Sequence, residues 1–266
     1  MLKKTYFPNH SDNYMTGEGD VVSARKEFLD KRPNNLGILL KNRYSWMNDY
    51  IKDSDRVVEL GSGAGFSREF VHQGQLELTD IVKHPWIDYV VDAVNPKELG
   101  DKESVDIIIC SHMIHHLSSP VSFFEKISYY LKPGGYILIQ EINTSLAMRA
   151  LLRIMRHEGW SYNVNVFDKR MICNDPKDPW SANCAIPELL FNNPEVFEKN
   201  VTDFKVVKNE KNECILFPIS GGVISKSNTI QLPEIMLSWI SHLDRFLVWL
   251  APSIFALGRS IVLKKI

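Results

Sequence analysis

The chain has no excess of charge of either sign, with 31 Lys plus Arg against 32 Asp plus Glu in 266 residues. That balance gives no global positive field to gather a polyanion at the surface, so nucleic acid is not expected as a partner. There is no paired C-x-x-C spacing: Cys110, Cys173, Cys184 and Cys214 stand apart, and Cys110 lies inside an apolar run. The cysteines are therefore expected as reduced thiols of a cytoplasmic protein, with no metal site. Long apolar runs are missing as well. The stretch from Phe246 to Gly258 is broken by Pro252 and falls short of the roughly 20 residues a spanning helix needs, so no transmembrane helix is expected. The opening Met1 to Asn9 carries two lysines and then Phe7-Pro8-Asn9, not an apolar core closed by small residues, which predicts no secretory signal. No internal repeat or low-complexity tract is present.

What is there is an ordinary globular composition at a length suited to one sizeable α/β core. Residues 1 to about 33 read as a polar, irregular arm or lid, with a helical turn or two from Ala24 to Leu29. Apolar positions between Asn35 and Ile51 recur at helical spacing. Short apolar runs follow at Arg56–Leu60, Leu76–Ile81, Ile87–Val91, Asp106–Cys110 and Tyr136–Gln140, separated by helix-compatible segments. Such alternation predicts a doubly wound, mostly parallel sheet. Lys132-Pro133-Gly134-Gly135 is expected to stop the Phe123–Leu131 helix and turn the chain into its next strand. Further on, a helix is expected from Leu146 to Glu158 and a long loop from Gly159 to Pro187. Strands are expected at Phe204–Val207 and Ile261–Leu263. The Pro233–Trp249 segment is expected as an amphipathic helix with Met236, Trp239, Ile240, Leu243, Phe246, Leu247 and Leu250 on one stripe, a core or dimer contact.

The strongest motif is Val57-Val58-Glu59-Leu60-Gly61-Ser62-Gly63-Ala64-Gly65, a buried strand ending in an acidic residue and running into a glycine-rich turn. Glycine lets the backbone turn sharply and a ligand approach closely. Asp80 ends the next run about 20 residues on, where a carboxylate can accept both hydrogens of a ribose diol. Asp92-Ala93 follows a third run, where a carboxylate could accept from an adenine amine. A pyrophosphate-binding loop would complete G-x-G-x-x-G, and Phe66 stands where its last glycine belongs. A nucleotide-dependent oxidoreductase or epimerase thus lacks both its loop and a Tyr-x-x-x-Lys pair at the expected place. A non-catalytic module that keeps the donor fold is a further alternative.

These residues, together with Asp106–Leu117 and Leu131-Lys132-Pro133-Gly134-Gly135, resemble the class I S-adenosylmethionine-dependent methyltransferases, in particular the small-molecule group that includes the ubiquinone-pathway enzymes. The resemblance spans residues from about 50 to 141. It implies a Rossmann-like doubly wound α/β sheet of seven strands with an antiparallel last strand near Ile261–Leu263, plus helical lid insertions. It implies S-adenosyl-L-methionine as cofactor, with Glu59, Gly61, Ser62, Gly63 and Gly65 at the methionine end. Asp80 and Ile81 would lie at the ribose, Asp92 and Ala93 at the adenine, and Ser111 to Met113, including His112, on the sulfonium side. The chain then divides into an N-terminal arm and helix over 1–50 and a methyltransferase domain over 51–266, with acceptor-side insertions at about 144–200 and 220–258.

Methyl transfer to a hydroxyl needs alignment and a base. Ser111-His112-Met113-Ile114-His115-His116-Leu117 sets three histidines after a strand, at the edge where doubly wound folds hold ligands. His115, His112 and His116 are each candidates for the base, while His116 could instead order the loop. No carboxylate set close in sequence completes a metal site with them. Glu141, at the end of the next strand, is a candidate contact for an acceptor hydroxyl or amine, or a partner of a neighbouring loop. The Asp178–Asn183 stretch mixes Trp180 with short hydrogen-bonding groups, as sugar-like ligands favour, or else is a surface loop packed by its own tryptophan. The expected activity is O-methylation of a small molecule such as a saccharide, a lipid-linked precursor or a secondary metabolite. The 233–258 segment is a candidate peripheral membrane contact or homodimer surface.

Overall fold

The computed structural model describes residues 4–8, 19–178 and 180–266. The central part of the expected arm and Pro179 lie outside them. Strand β1 is Thr5–Tyr6, and helices α1 (Val21–Lys31) and α2 (Asn34–Tyr44) follow. The expected turn or two at Ala24–Leu29 is thus a full helix, started by the Asp20 side chain accepting from the Ser23 amide and ended by Arg32 in the left-handed region. Strands β2 (Arg56–Leu60), β3 (Gln75–Asp80), β4 (Tyr89–Val90) and β5 (Val105–Ser111) alternate with short connections, and a 3-10 turn at Phe66–Glu69 is all that follows the glycine loop. Helix α3 (Pro120–Tyr130) leads into β6 (Leu131–Ile142). The Lys132–Gly135 turn lies within the span of β6, where its pairing with β5 shifts register.

Helix α4 (Leu146–Met155) is followed by β7 (Trp160–Ser161), α5 (Ile186–Phe191), α6 (Pro194–Asn200) and β8 (Phe204–Asn212). Then come α7 (Leu216–Ser220), α8 (Glu234–Leu250), α9 (Pro252–Phe255) and β9 (Gly258–Lys265). Seven strands form one sheet in the order β4-β3-β2-β5-β6-β9-β8, and β9 runs antiparallel to both neighbours. This is the Rossmann-like sheet with an antiparallel last strand, and β1 pairs separately with β7.

Alternation along the strands assigns each residue to one of two cores, because successive side chains point to opposite faces. Val58, Ile108, Cys110, Ile137 and Ile139 pack with Phe123 and Phe124 of α3, Phe191 of α5 and Phe197 of α6. Val57, Ile107, Ile109 and Leu138 pack on the other face with Phe28 of α1 and Leu36, Leu39 and Leu40 of α2. Leu237 of α8 joins that second core.

Of the readings of the α8 stripe, the core contact is not what the structure shows. Its buried residues are Leu237, Asp244 and Val248. Trp239 is 74% exposed, and Met236, Leu243, Phe246 and Leu250 of the expected stripe also face out, as does Trp249 at 77%. The physical reason is Asp244, whose carboxylate accepts from the amides of Cys214, Ile215 and Leu216 at 3.0, 2.7 and 3.1 Å. That contact caps the start of α7 and fixes the helix by its polar side. Among the described residues no helix is long and apolar enough to cross a membrane.

Candidate functional site

The carboxyl ends of β2, β3 and β5 open onto a cavity of about 730 Å³. One wall is the glycine loop. Gly61 has φ +68°, and a Cβ there would stand 2.7 Å from Met113 Cγ. Gly65 has φ +65°, and a Cβ there would meet Trp86 and Leu78 at 2.8 and 2.9 Å. Both positions demand glycine for backbone and for space. The loop is clamped from outside by groups the sequence reading did not single out. The Trp86 indole donates to the Gly63 carbonyl at 2.9 Å, and Arg25 of α1 donates to the Ala64 carbonyl at 2.7 Å.

Of the residues expected at the donor site, Gly61, Ser62, Gly63, Asp80, Ile81, Asp92, Ala93, Ser111 and His112 all line the cavity. Glu59 and Gly65 do not. Glu59 is buried under the loop, where it accepts from Ser67 Oγ at 2.5 Å. Burial pushes its carboxyl up to about 7, against the lowering effect of the Ser67 hydroxyl. Asp80 is held at the rim by the Gly63 and Val82 amides, which donate to its two oxygens at 2.8 and 3.0 Å. Asp92 is exposed and accepts from the Val94 amide at 2.8 Å. His112 sits at the end of β5 with φ +52°, an uncommon conformation for a side chain of its size, and its amide donates to the Gln140 carbonyl at 2.7 Å.

The other end of the cavity holds the remaining histidines. His115 and His116 lie in the 3-10 turn Ile114–His116. Glu141, at the end of β6, is buried and does not line the cavity; it grips this turn from behind. One of its oxygens accepts from the Ile114 amide at 2.6 Å, and the other pairs with His115 Nδ1 at 2.7 Å. Of the two readings of Glu141, the geometry is that of a partner to the neighbouring loop. His116 Nδ1 lies 3.2 Å from the Ser181 carbonyl, and a carbonyl only accepts, so Nδ1 carries the proton.

Sequence reasoning missed Glu158. Helix α4 ends on Arg156 in the left-handed region, and the chain turns back so that Glu158 Oε2 comes within 3.8 Å of His115 Nε2. Cys184 Sγ donates to the same oxygen at 3.2 Å. The one signal in the sequence was the His157-Glu158-Gly159 triplet after the helix, and only the fold brings it over the histidines. Burial and Arg43 keep His112 well below the ordinary histidine range. Burial also depresses His116, to about 4, helped by His115. For His115 burial is outweighed by Glu141 and Glu158, which raise it to about 10. Glu158 is held well below its ordinary value because His115 outweighs its burial.

Met148, Leu152 and Met155 of α4 and Phe217, Val223 and Ile224 give the cavity an apolar wall. Trp180 lines the mouth and approaches Gly19 ahead of α1. The Asp178–Asn183 stretch thereby contributes Trp180 and the Ser181 carbonyl to the site, and Asn183 ties the insertion to the histidine turn through its amide, which donates to the His115 carbonyl at 2.9 Å.

A sheet of this order with a glycine loop, two rim carboxylates and one cavity that runs on to a histidine-glutamate cluster defines a donor-binding transferase fold, and comparison with known proteins agrees. Residues 27–176 match the family model described as a methyltransferase domain. The chain belongs to that family, as a class I S-adenosylmethionine-dependent methyltransferase. It is similar to the ubiquinone biosynthesis O-methyltransferase of Xylella fastidiosa, 25% identical over 107 residues covering 35% of this chain and 44% of that protein. The protein of the same name from Burkholderia pseudomallei is 22% identical over 120 residues, covering 39% and 52%. The matched segments thus span about half the length of these relatives. Among solved structures, a SAM-dependent methyltransferase from Archaeoglobus fulgidus shares the fold, with a TM-score of 0.52 at 20% identity, covering 85% of this chain and 93% of that one.

Proposed function

We propose that the protein transfers a methyl group to an oxygen of a small, largely apolar acceptor. The observation that carries this reading is the one cavity lined together by the strand-end donor residues, a histidine-glutamate cluster and an apolar wall. The names of the sequence relatives, O-methyltransferases, support the oxygen.

Bound at the glycine loop, S-adenosylmethionine supplies a methyl group on a sulfonium centre. The chain's residues suit such a donor. Asp80 offers carboxylate oxygens to a ribose diol, and Asp92 offers one to an exocyclic amine, on neighbouring strand ends with no third loop glycine for a pyrophosphate. Glu59 acts from beneath, bracing the loop through Ser67. On the acceptor side the proton of a hydroxyl must leave as the new bond forms. In the ion-free protein His116 is suited to take it, being neutral with Nδ1–H on the Ser181 carbonyl and its Nε2 lone pair unspent. In the same ion-free state His115, protonated between Glu141 and Glu158, holds Glu158 at the acceptor side of the cavity. Met148, Leu152, Met155, Phe217, Val223 and Ile224 select for apolar bulk in the acceptor.

Incubation with methyl-labelled donor and a panel of phenols, alcohols, amines and activated-carbon acceptors tests the reading. Label recovered in methyl ethers supports it; label confined to amines or carbon contradicts it.

The outward apolar face of α8 is further proposed as a peripheral membrane contact, since exposed Trp239, Phe246 and Trp249 are the residue types that settle at a bilayer interface.

A further inference from the structure

We infer that His115, His116 and Glu158 form a binding site for one divalent transition-metal ion, of the two-histidine, one-carboxylate kind. One ring nitrogen from each histidine and one carboxylate oxygen of Glu158 lie within 4.8 Å of one another. His115 Nε2 and Glu158 Oε2 are 3.8 Å apart. Ligands about 2.0–2.2 Å from a tetrahedral zinc-type ion sit on the order of 3.4 Å from each other, so closure asks for about 0.4 Å from that pair and for no more than roughly 1.4 Å from the widest one.

The outer contacts are what separate this cluster from three polar groups that happen to meet. A metal-ligating histidine almost always gives its other ring nitrogen to a carboxylate or a backbone carbonyl. Here both histidines do so through Nδ1: His115 to Glu141 at 2.7 Å and His116 to the Ser181 carbonyl at 3.2 Å. Nε2 is thereby the ligating position on each ring, and on His115 the ion takes the place of the proton that faces Glu158. Glu141 is itself fixed by the Ile114 amide at 2.6 Å, so the His115 ring has little freedom. Glu158 arrives from a different element, after the left-handed turn that ends α4.

All three ligands line the cavity, which leaves the remaining coordination positions open to it, as in sites that bind a substrate or water. The mixed imidazole and carboxylate set suits Zn²⁺, Mn²⁺, Fe²⁺ or Co²⁺ and not the all-oxygen preference of Mg²⁺ or Ca²⁺. An ion there would draw an acceptor's hydroxyl oxygen and lower its pKa. That consequence rests on the O-methyl reading; the ion's binding does not.

The test is titration of the EDTA-stripped full-length protein with Zn²⁺, with Mg²⁺ as control and with neither donor nor acceptor present. The expected result is one Zn²⁺ per chain and no saturable Mg²⁺ binding. Glu158→Gln and His116→Ala should each weaken Zn²⁺ at least 10-fold, and Glu141→Gln about 10–100-fold through its hold on His115. The visible d–d spectrum of the Co²⁺-loaded wild-type protein reads the coordination without any variant. Nitrogen and oxygen coordination supports the site, while a sulfur-to-cobalt charge-transfer band would move the ion to Cys184 and overturn the ligand set. Absence of stoichiometric Zn²⁺ binding, or affinity unchanged in the double variant of Glu158 and His116, overturns the proposal. Either failure leaves donor binding untouched, and a failure of donor binding leaves the ion's titration intact.

Discussion

The two ends of the cavity are built differently. The donor end is made by backbone: a glycine loop, strand ends and the amides that pin Asp80, from Val82 just past its own strand and from Gly63 of the loop after the neighbouring strand. The acceptor end is made by side chains from segments far apart in the chain, with His115 meeting Glu141 across 26 residues and His116 meeting Ser181 across 65. A site of the first kind is written in a short motif. A site of the second kind exists only once the sheet and its insertions have packed.

That contrast can be broken by showing that damage at one end spreads to the other. The largest effect is expected at the acceptor end: His116→Ala should lower kcat by about 10²–10⁴-fold while the affinity for S-adenosylhomocysteine stays the same, as read by steady-state kinetics beside calorimetry. Loss of donor affinity in that variant would join the two ends into one unit.

Next is the brace beneath both. Arg43 of α2 lines the cavity and makes a buried bidentate pair with Glu213, both contacts at 2.7 Å. Arg43→Ala leaves that carboxylate buried and unpaired and should cost about 3–5 kcal/mol in urea unfolding. An unchanged midpoint would mean that the pair contributes nothing to the frame.

At the donor end, Asp80→Ala should weaken S-adenosylhomocysteine about 10–100-fold, the range for hydrogen bonds to a charged group. Unchanged affinity would show that the ribose lies elsewhere.

A smaller effect is expected in pH. Glu59 has its folded-state pKa raised to about 7 by burial, above its unfolded value. Its contribution to stability is therefore fully present below the ordinary carboxyl range and lost as pH rises through about 7. Unfolding free energy measured over that window should decline, and Glu59→Gln should flatten the decline. A slope that survives the substitution would assign it to other groups.

The smallest effect concerns α8. The wild-type protein should pellet with anionic liposomes at low salt, and the Trp239→Ala, Trp249→Ala double variant should remain in the supernatant. A wild-type protein that stays soluble while eluting at twice its mass would give that face to a second copy.

How much of this was legible beforehand follows the same division. The strands follow from apolar runs whose alternation must serve two cores, the antiparallel direction of β9 was implied by the family resemblance and not by any run, and the rim residues Asp80 and Asp92 follow from their places at strand ends. The Trp86 and Arg25 clamps were not legible, because both reach the loop from elements whose packing no local pattern encodes. Glu158 was hidden for the same reason. A helix followed by His-Glu-Gly carries no spacing signal, and its partner histidines lie some forty residues earlier. The reversed face of α8 has another cause. Apolar periodicity assumes that the greasy stripe is buried, and here one buried carboxylate, Asp244, held by three amides, decides the helix orientation against it.

The central claim is that the strand-end residues hold the methyl donor, and calorimetric titration with S-adenosylmethionine and S-adenosylhomocysteine tests it most directly. One molecule of each should bind per chain, more weakly in Asp80→Ala and with unchanged affinity in His116→Ala. The absence of binding heat for both ligands to the folded wild-type protein, across several temperatures, would contradict the account.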